Sequence, residues 1–413
     1  MKNAFYAQSG GVTAVINTTA CGVLETARKH GVKVFAGKNG ILGALNEELI
    51  DTSLLSDTQV AGLRQTPGGA FGSCRFKLKD ININRREYER LIAVFKAHNI
   101  GYFFYNGGGD SQDTTNKISI ISKELGYPLQ CIGIPKTIDN DLPLTDNCPG
   151  FGSVAKYVAI SILEASLDVA SMAETSTKVF ILEVMGRHAG WIAAAGALAK
   201  THENAPPHII LFPEVMFDEE KFLSKIKQSV NTNGYCTIVA SEGIKYATGK
   251  FLADSGIKDA FGHAQLGGVA PTLAKLIKNK LGYKYHWAVS DYLQRSARHI
   301  SSKVDVEQAY ALGTKAVEFA LEGKTGILPV IVRLSNNPYI WDISEAQLSD
   351  VANVEKKMPS NYIDASGMMI TEECRTYLEP LIQGEDYPTY KNGIPDYSIL
   401  ENPIIEKLLP KFI

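Results

Sequence analysis

The chain has 413 residues, 45% of them hydrophobic and 21% charged, with a formal net charge of −2 at pH 7. That length suggests two or three domains at roughly 100–200 residues each, and a near-neutral balance offers no bulk attraction to nucleic acid or to an acidic membrane, so any anion has to be bound by local groups. No run of about 18 apolar residues is present to span a bilayer, and the opening MKNAFYAQSGG has no signal-peptide core, so a cytoplasmic protein is the expectation.

In chain order, Ala4–Gln8 reads as a strand, followed by a turn at Ser9-Gly10-Gly11 and a helix ending near His30. Lys33–Gly37 is a second strand. The segment GYFFYNGGGD, Gly101–Asp110, is a strand running into glycines, and Ser111–Leu125 is the helix after it. Leu129–Ile134, Lys178–Gly186, His208–Phe212 and Tyr235–Gly243 are further strands, with helical stretches between them. Strand and helix in alternation imply an α/β fold of parallel sheets covered by helices on both faces. In such sheets ligands collect at the carboxyl ends of strands. Near the C-terminus, SNNPYIWDISEAQLSD and GEDYPTYKNGIPDYSILENPIIEKLLP are rich in Pro, Asp, Asn and Tyr. They read as an irregular extension packed on the body rather than a further domain. The six cysteines form no Cys-x-x-Cys pair and the eight histidines no His-x-x-x-His spacing, which points to buried reduced thiols and against zinc.

Three glycine-rich corners punctuate the chain: Ser9-Gly10-Gly11, Gly68–Arg75, and Gly107-Gly108-Gly109-Asp110-Ser111. Glycine lets a backbone approach a phosphate closely, and a following helix offers free N–H groups and a partial positive charge. One such corner is explained as well by turn chemistry; three, one of them ending in Arg75, favour a phosphate site. Neither the dinucleotide fingerprint nor the Gly-x-x-x-x-Gly-Lys-Ser/Thr loop is present.

The stretch CIGIPKTIDND, Cys131–Asp141, ends an apolar strand in a cation and two anions. Asp139 and Asp141 could be turn formers in Asp-Asn-Asp-Leu-Pro. The functional alternative makes an ionised aspartate the general base for a hydroxyl attacking phosphorus. Thr137 would orient it or bind phosphate, and Lys136 would neutralise charge on the transferred group.

With these residues assembled, the chain resembles the phosphofructokinase family, and its pyrophosphate-dependent branch most closely. Pro135–Asp141, Glu183-Val184-Met185-Gly186-Arg187, the Ser9-Gly10-Gly11 corner with Asn17 in the next helix, Gly68–Arg75 and Gly262–Gly268 match five family motifs in order, over about residues 4–320. The resemblance implies two Rossmann-like parallel-sheet α/β domains with the active site in the cleft between them, plus an irregular C-terminal extension. It places a donor domain at 1–140 with 262–315, and a sugar-phosphate domain at 141–261 with 316–413. It implies transfer of a phosphoryl group from pyrophosphate to the 1-hydroxyl of fructose 6-phosphate, reversibly, in glycolysis or gluconeogenesis. Asp139 would be the base, with Lys136 and Asp110 also catalytic. Thr137, Ile138, Asp139, Met185, Gly186, Arg187, Glu242, Tyr292, Leu293, Gln294 and Arg295 would hold the sugar phosphate. Gly11, Arg75, Asp110 and Lys136 would hold the donor, and Mg2+ would be the cofactor. The family implies a homodimer or homotetramer; no nucleic-acid or membrane partner is expected.

Two positions speak to the donor. Family members that use ATP carry Gly where this chain has Asp110 and Lys136. A carboxylate at 110 adds bulk and like charge against a nucleotide α-phosphate, and an ammonium at 136 stabilises a donor that brings no adenosine. Other positions depart from the family pattern. The usual metal-binding Asp is Gly109, so magnesium has to rely on Asp110, on Asp141 or on the donor. The Arg usual after His-x-Gln is Leu266, which removes one sugar-phosphate contact that Arg295 can replace. Lys178 stands where the family often has an Arg reaching a neighbouring subunit, and it lacks the bidentate fork. The competing functions are an ATP-dependent enzyme, which predicts Gly at 110 and 136; an inactive regulatory subunit, which predicts loss of Asp139, Arg187 or Glu242; and a nicotinamide oxidoreductase, which predicts the missing fingerprint.

Overall fold

The computed structural model describes residues 2–258 and 264–412. They form two compact units. The first takes the chain as far as Gly150, then Arg298–Glu355 and the stretch from Gly384 onward; the second takes Phe151–Ala297 and Lys356–Gln383.

The first unit begins with β1 (Asn3–Ser9), α1 (Ile16–Lys29), β2 (Val34–Gly37), α2 (Ile41–Leu45), β3 (Leu49–Asp51), α3 (Asp57–Leu63), β4 (Ser73–Cys74), α4 (Arg85–Ala97), β5 (Ile100–Gly107), α5 (Gly109–Glu124) and β6 (Gln130–Pro135). The second unit follows with α6 (Phe151–Met172), β7 (Val179–Val184), α7 (Trp191–Ala195), β8 (Ile209–Leu211), α8 (Glu219–Asn233) and β9 (Cys236–Ser241). It continues with the antiparallel pair β10 (Asp254–Lys258) and β11 (Ala264–Leu266), then α9 (Val269–Leu281), β12 (Tyr285–Val289) and α10 (Asp291–Ser296). The chain re-enters the first unit as α11 (Lys303–Leu321), the hairpin β13 (Ile327–Asn336) and β14 (Tyr339–Gln347), and α12 (Leu348–Val351); α13 (Glu372–Leu378) belongs to the second.

The main sheet of the first unit has the order β14-β13-β6-β5-β1-β2-β3, with β4 also paired to β1. Its strands β13, β6, β5, β1, β2 and β4 are parallel, while β3 and β14 pair antiparallel at the two edges. Successive residues of β1 point to opposite faces. Phe5 and Ala7 join a cluster with Tyr88, Leu91 and Phe95 of α4, and Ala4 and Tyr6 join one with Ala20 and Leu24 of α1 and Leu312 of α11. Burial on both faces is why this strand is an unbroken apolar run. Helices α1 and α11 cross closely because two glycines meet. A Cβ on Gly22 would stand 2.3 Å from the Tyr310 carbonyl oxygen, and one on Gly313 would stand 2.2 Å from that of Thr19.

In the second unit β12-β7-β9-β8 are all parallel. Val179 and Ile181 of β7 pack with Phe222 and Ile226 of α8 and with Leu273 and Ile277 of α9.

The two-part α/β reading agrees with this architecture, but the boundaries differ. Residues 264–297 go with the second unit, because β12 extends the sheet beside β7, pairing Tyr285 with Val179 and Trp287 with Ile181. Residues 316–355 and those from 384 onward go with the first, because β13 joins β6 there, Ile327 pairing with Ile132. The stretch SNNPYIWDISEAQLSD is not irregular: most of it forms β14 and its turn, paired with β13 from Ile327–Gln347 to Asn336–Tyr339. The last segment does pack on the first unit largely without regular structure. Asn402 donates to the Ala70 carbonyl at 2.6 Å, the Ile405 N–H to that of Leu49 at 2.9 Å, and the Leu408 N–H to Glu47 at 2.7 Å. Among the described residues, no helix is long and apolar enough to cross a membrane.

Candidate active site

Strands β1, β4, β5 and β6 run parallel, so their carboxyl ends open on one edge of the first unit's sheet. The three glycine corners and the Lys136 tip all lie there. The Gly10 N–H donates to the Cys74 carbonyl at 2.9 Å and the Ser73 hydroxyl donates to the Gly10 carbonyl at 2.8 Å, joining the first corner to the second. The Lys136 N–H donates to the Gly107 carbonyl at 3.2 Å, and its ammonium donates to the Gly11 carbonyl at 2.6 Å, joining the tip to the third corner and the first. Lys136 is only 5% exposed. Gly10 has φ +73°, so glycine serves the turn that brings the first corner beside the Lys136 ammonium.

Helix α5 begins at this edge without a side-chain cap on Gly108. Its first N–H groups and its dipole therefore favour an anion. Asp110 stands in this first turn, and its Oδ1 is 2.6 Å from the Lys77 Nζ. Arg75 follows directly from β4 and is exposed. A Cβ at Gly109 would stand in open space, more than 4 Å from any described atom outside its own turn.

At the tip, Thr137 and Ile138 are buried and Asp139 is half-buried. The Asp139 N–H donates to the Thr137 hydroxyl at 3.0 Å, and that hydroxyl donates to Asp139 Oδ2 at 3.4 Å, which turns the carboxylate back over its own loop. Asn140 next to it has φ +54° and accepts from the Cys148 N–H at 3.0 Å, holding the turn. Asp141 differs: its Oδ1 is sealed from solvent and accepts no hydrogen bond among the described residues. Burial pushes its carboxyl pKa up, and Glu355 adds to this, against the Thr137 hydroxyl and the Lys136 ammonium.

In the second unit the carboxyl ends of β7, β9 and β12 likewise share an edge. Met185-Gly186-Arg187 leave β7, Glu242 leaves β9, and α10 with Tyr292, Leu293, Gln294 and Arg295 follows β12. Polar contacts bring the three together. The Gly186 N–H donates to Glu242 Oε1 at 3.4 Å, and the Met185 N–H donates to the buried Gln294 at 3.3 Å. The Arg295 guanidinium stacks 3.8 Å over the Tyr292 ring, and Tyr292 and Leu293 are exposed. Burial raises the Glu242 pKa, against the Gly186 N–H and the Arg187 charge. The motif's Glu183, at 2% exposure, accepts from the Gly268 and Ala270 N–H groups at 3.0 and 2.8 Å and so fixes the start of α9.

The expected donor residues Gly11, Arg75, Asp110 and Lys136 thus cluster in the first unit with Asp139, Thr137 and Ile138. Met185, Gly186, Arg187, Glu242 and Tyr292–Arg295 cluster in the second. Gly262 and His263 lie outside the described residues, as do the side chains of Ala264 and Gln265. Lys178 is engaged locally: its ammonium donates to the Ala173 carbonyl and, at 3.4 Å, to that of Glu174, just past the end of α6. Sequence reasoning missed Lys77. It lies 33 residues from Asp110, and no motif marks it.

Comparison with known proteins adds to this geometry. A family model described as Phosphofructokinase matches residues 3–320. The chain is 63% identical over 413 residues, 99% of each chain, to a Halomonas elongata protein named pyrophosphate--fructose 6-phosphate 1-phosphotransferase. It is also 63% identical over 411 residues to a Methylococcus capsulatus protein of the same name, covering 99% of this chain and 98% of that one. A crystal structure of pyrophosphate-dependent phosphofructokinase from Marinobacter aquaeolei is 61% identical over 100% of both chains, with a TM-score of 0.92.

Proposed function

The chain belongs to the phosphofructokinase family, and from that premise we propose that it moves a phosphoryl group, reversibly, from inorganic pyrophosphate to the 1-hydroxyl of fructose 6-phosphate. The products are fructose 1,6-bisphosphate and phosphate. The observation that carries the donor assignment is the pair of charged side chains at the strand tips. The Lys136 ammonium is buried inside the first glycine corner, 2.6 Å from the Gly11 carbonyl, and the Asp110 carboxylate stands at the start of α5.

Phosphoryl transfer asks mainly for positioning and charge stabilisation. Asp139 takes the proton of the 1-hydroxyl as its oxygen bonds to phosphorus, and the bond from phosphorus to the bridging oxygen breaks to release phosphate. The Thr137 hydroxyl orients that carboxylate. Thr137, Ile138, Met185, Gly186, Arg187 and Glu242 bind the sugar, with Tyr292, Leu293, Gln294 and Arg295 at its phosphate. Gly11, Arg75, Lys136 and the first N–H groups of α5 bind the donor oxygens, where an ammonium in a dry setting is worth far more than in water.

Phosphofructokinases generally use a divalent metal, and Mg2+ is our assignment. The sealed, unpartnered Oδ1 of Asp141 fits it better than Asp110, whose oxygen is engaged by Lys77. Magnesium is commonly held by one or two carboxylates together with substrate phosphates, and when bound it would neutralise charge on those phosphates. Family membership further supports a cytoplasmic homodimer or homotetramer serving glycolysis or gluconeogenesis.

The test is direct. Turnover of fructose 6-phosphate with pyrophosphate and with ATP should differ by orders of magnitude in favour of pyrophosphate; equal or preferred use of ATP would overturn the donor assignment.

A further inference from the structure

Lys77 is a partner of the donor residue Asp110 that the family motifs do not mark. It is half-exposed, as is Asp110, both side chains standing at 42%. A carboxylate so exposed, alone at a helix start, can swing between rotamers. Here it is held. The Lys77 ammonium donates to Asp110 Oδ1 at 2.6 Å and to the Asn353 side-chain oxygen at 3.4 Å. Asn353 in turn donates to Asp113 Oδ1 at 3.0 Å, and Asp113 Oδ2 accepts from Lys117 at 2.6 Å. Asn353 has φ +61° and lies just beyond α12, which packs on α5. Three separate stretches of the first unit, around residues 77, 110–117 and 353, are therefore tied together through two ion pairs bridged by the Asn353 amide. The bond to Asp110 raises the Lys77 pKa against the effect of burial, so the Lys77 ammonium stays charged at neutral pH.

An exposed ion pair contributes little to stability, with a median of about 0–1 kcal/mol. Its consequence here is geometric and electrostatic. Asp110 alone would repel every polyphosphate that approaches α5, pyrophosphate included. Paired with Lys77, the carboxylate still occupies space that a nucleotide's α-phosphate would need, while its charge is balanced for a smaller donor. We propose that Lys77 is a specificity-determining positioning residue, which with Asn353 holds Asp110 in place and balances its charge so that the donor site admits pyrophosphate and rejects nucleoside triphosphates. This rests on the pyrophosphate assignment above.

The test is a double-mutant cycle on the full-length enzyme, read as KM and kcat with pyrophosphate and with ATP. Lys77→Met should raise KM for pyrophosphate about fivefold, the upper range for a half-exposed pair. It should move kcat less and leave the thermal midpoint in place, and Lys77→Arg should restore KM. In an Asp110→Asn background, Lys77→Met should have no further effect on KM. An unchanged KM in Lys77→Met, or the same rise in both backgrounds, would overturn the proposal; the second result would mean that Lys77 acts on the donor independently of Asp110. A wild-type enzyme that prefers ATP would remove the donor assignment, and this proposal with it, whatever the variants did.

Discussion

Glu47 and Asp141 are two sequestered acids of the same unit, and they are treated in opposite ways. Glu47 has no exposure, yet four donors reach it. The backbone N–H groups of Leu408 and Leu409 stand at 2.7 and 3.1 Å, His98 Nε2 at 2.8 Å and Arg90 at 3.4 Å. Burial alone would raise its pKa; the bonds from Leu408, His98 and Leu409 outweigh that and lower it. At the β6 tip, burial wins instead: the pKa of Asp141 is raised and its Oδ1 accepts nothing among the described residues. An unsatisfied buried acceptor costs about 1–3 kcal/mol. A saturated carboxylate is a clamp, here fastening the C-terminal segment to the first unit. An unsaturated one carries its desolvation cost without a partner among the described residues.

The contrast can be broken or sharpened by substitution. The largest expected effect is at the tip: Asp139→Ala should lower kcat by about 10²–10⁴-fold, the usual contribution of a general base, with an unchanged thermal midpoint. Retained turnover would remove its role as base. At the clamp the effect should appear in stability instead. Glu47→Ala strands His98 and Arg90, and should cost about 3 kcal/mol in chemical denaturation while kcat stays within twofold of wild type; a collapse of kcat in a folded variant would mean that the clamp is not merely structural.

The two acids should also respond to pH with opposite signs. For Glu47, whose folded pKa is lowered, the stabilising contribution is present above the ordinary carboxylate value and is lost as pH falls through the lowered one. For Asp141, whose folded pKa is raised, the contribution is full below the ordinary value and is lost as pH rises through the raised one. Asp141→Asn should therefore stabilise the protein at pH 7 while lowering turnover. A destabilised, fully active Asp141→Asn enzyme would reverse the comparison. The smallest effect should be at Lys178: replacing it by Met loses contacts to carbonyls beyond α6, about 0.5 kcal/mol, with turnover unchanged.

Much of this was readable from residue order. The apolar runs at Ala4–Gln8, Leu129–Ile134 and Tyr235–Gly243 lie in strands β1, β6 and β9, and the first and third glycine corners follow the parallel strands β1 and β5. Strand β14 was hidden by its own exposure. Along Tyr339–Gln347 most side chains are half-buried or exposed, so the apolar signal that marks a central strand is missing. The unit boundaries were hidden because they depend on distant pairings, β13 with β6 and β12 with β7. The Glu47 clamp spans 361 residues to Leu408, and no local pattern announces such a contact.

The central claim is that Asp110 and Lys136 together choose the phosphoryl donor. It is tested most directly by kcat/KM for pyrophosphate and for ATP in the double variant Asp110→Gly with Lys136→Gly, measured beside the wild type. The account predicts a steep loss with pyrophosphate and the appearance of ATP-dependent turnover. A variant that remained active with pyrophosphate alone, its preference unmoved, would contradict it.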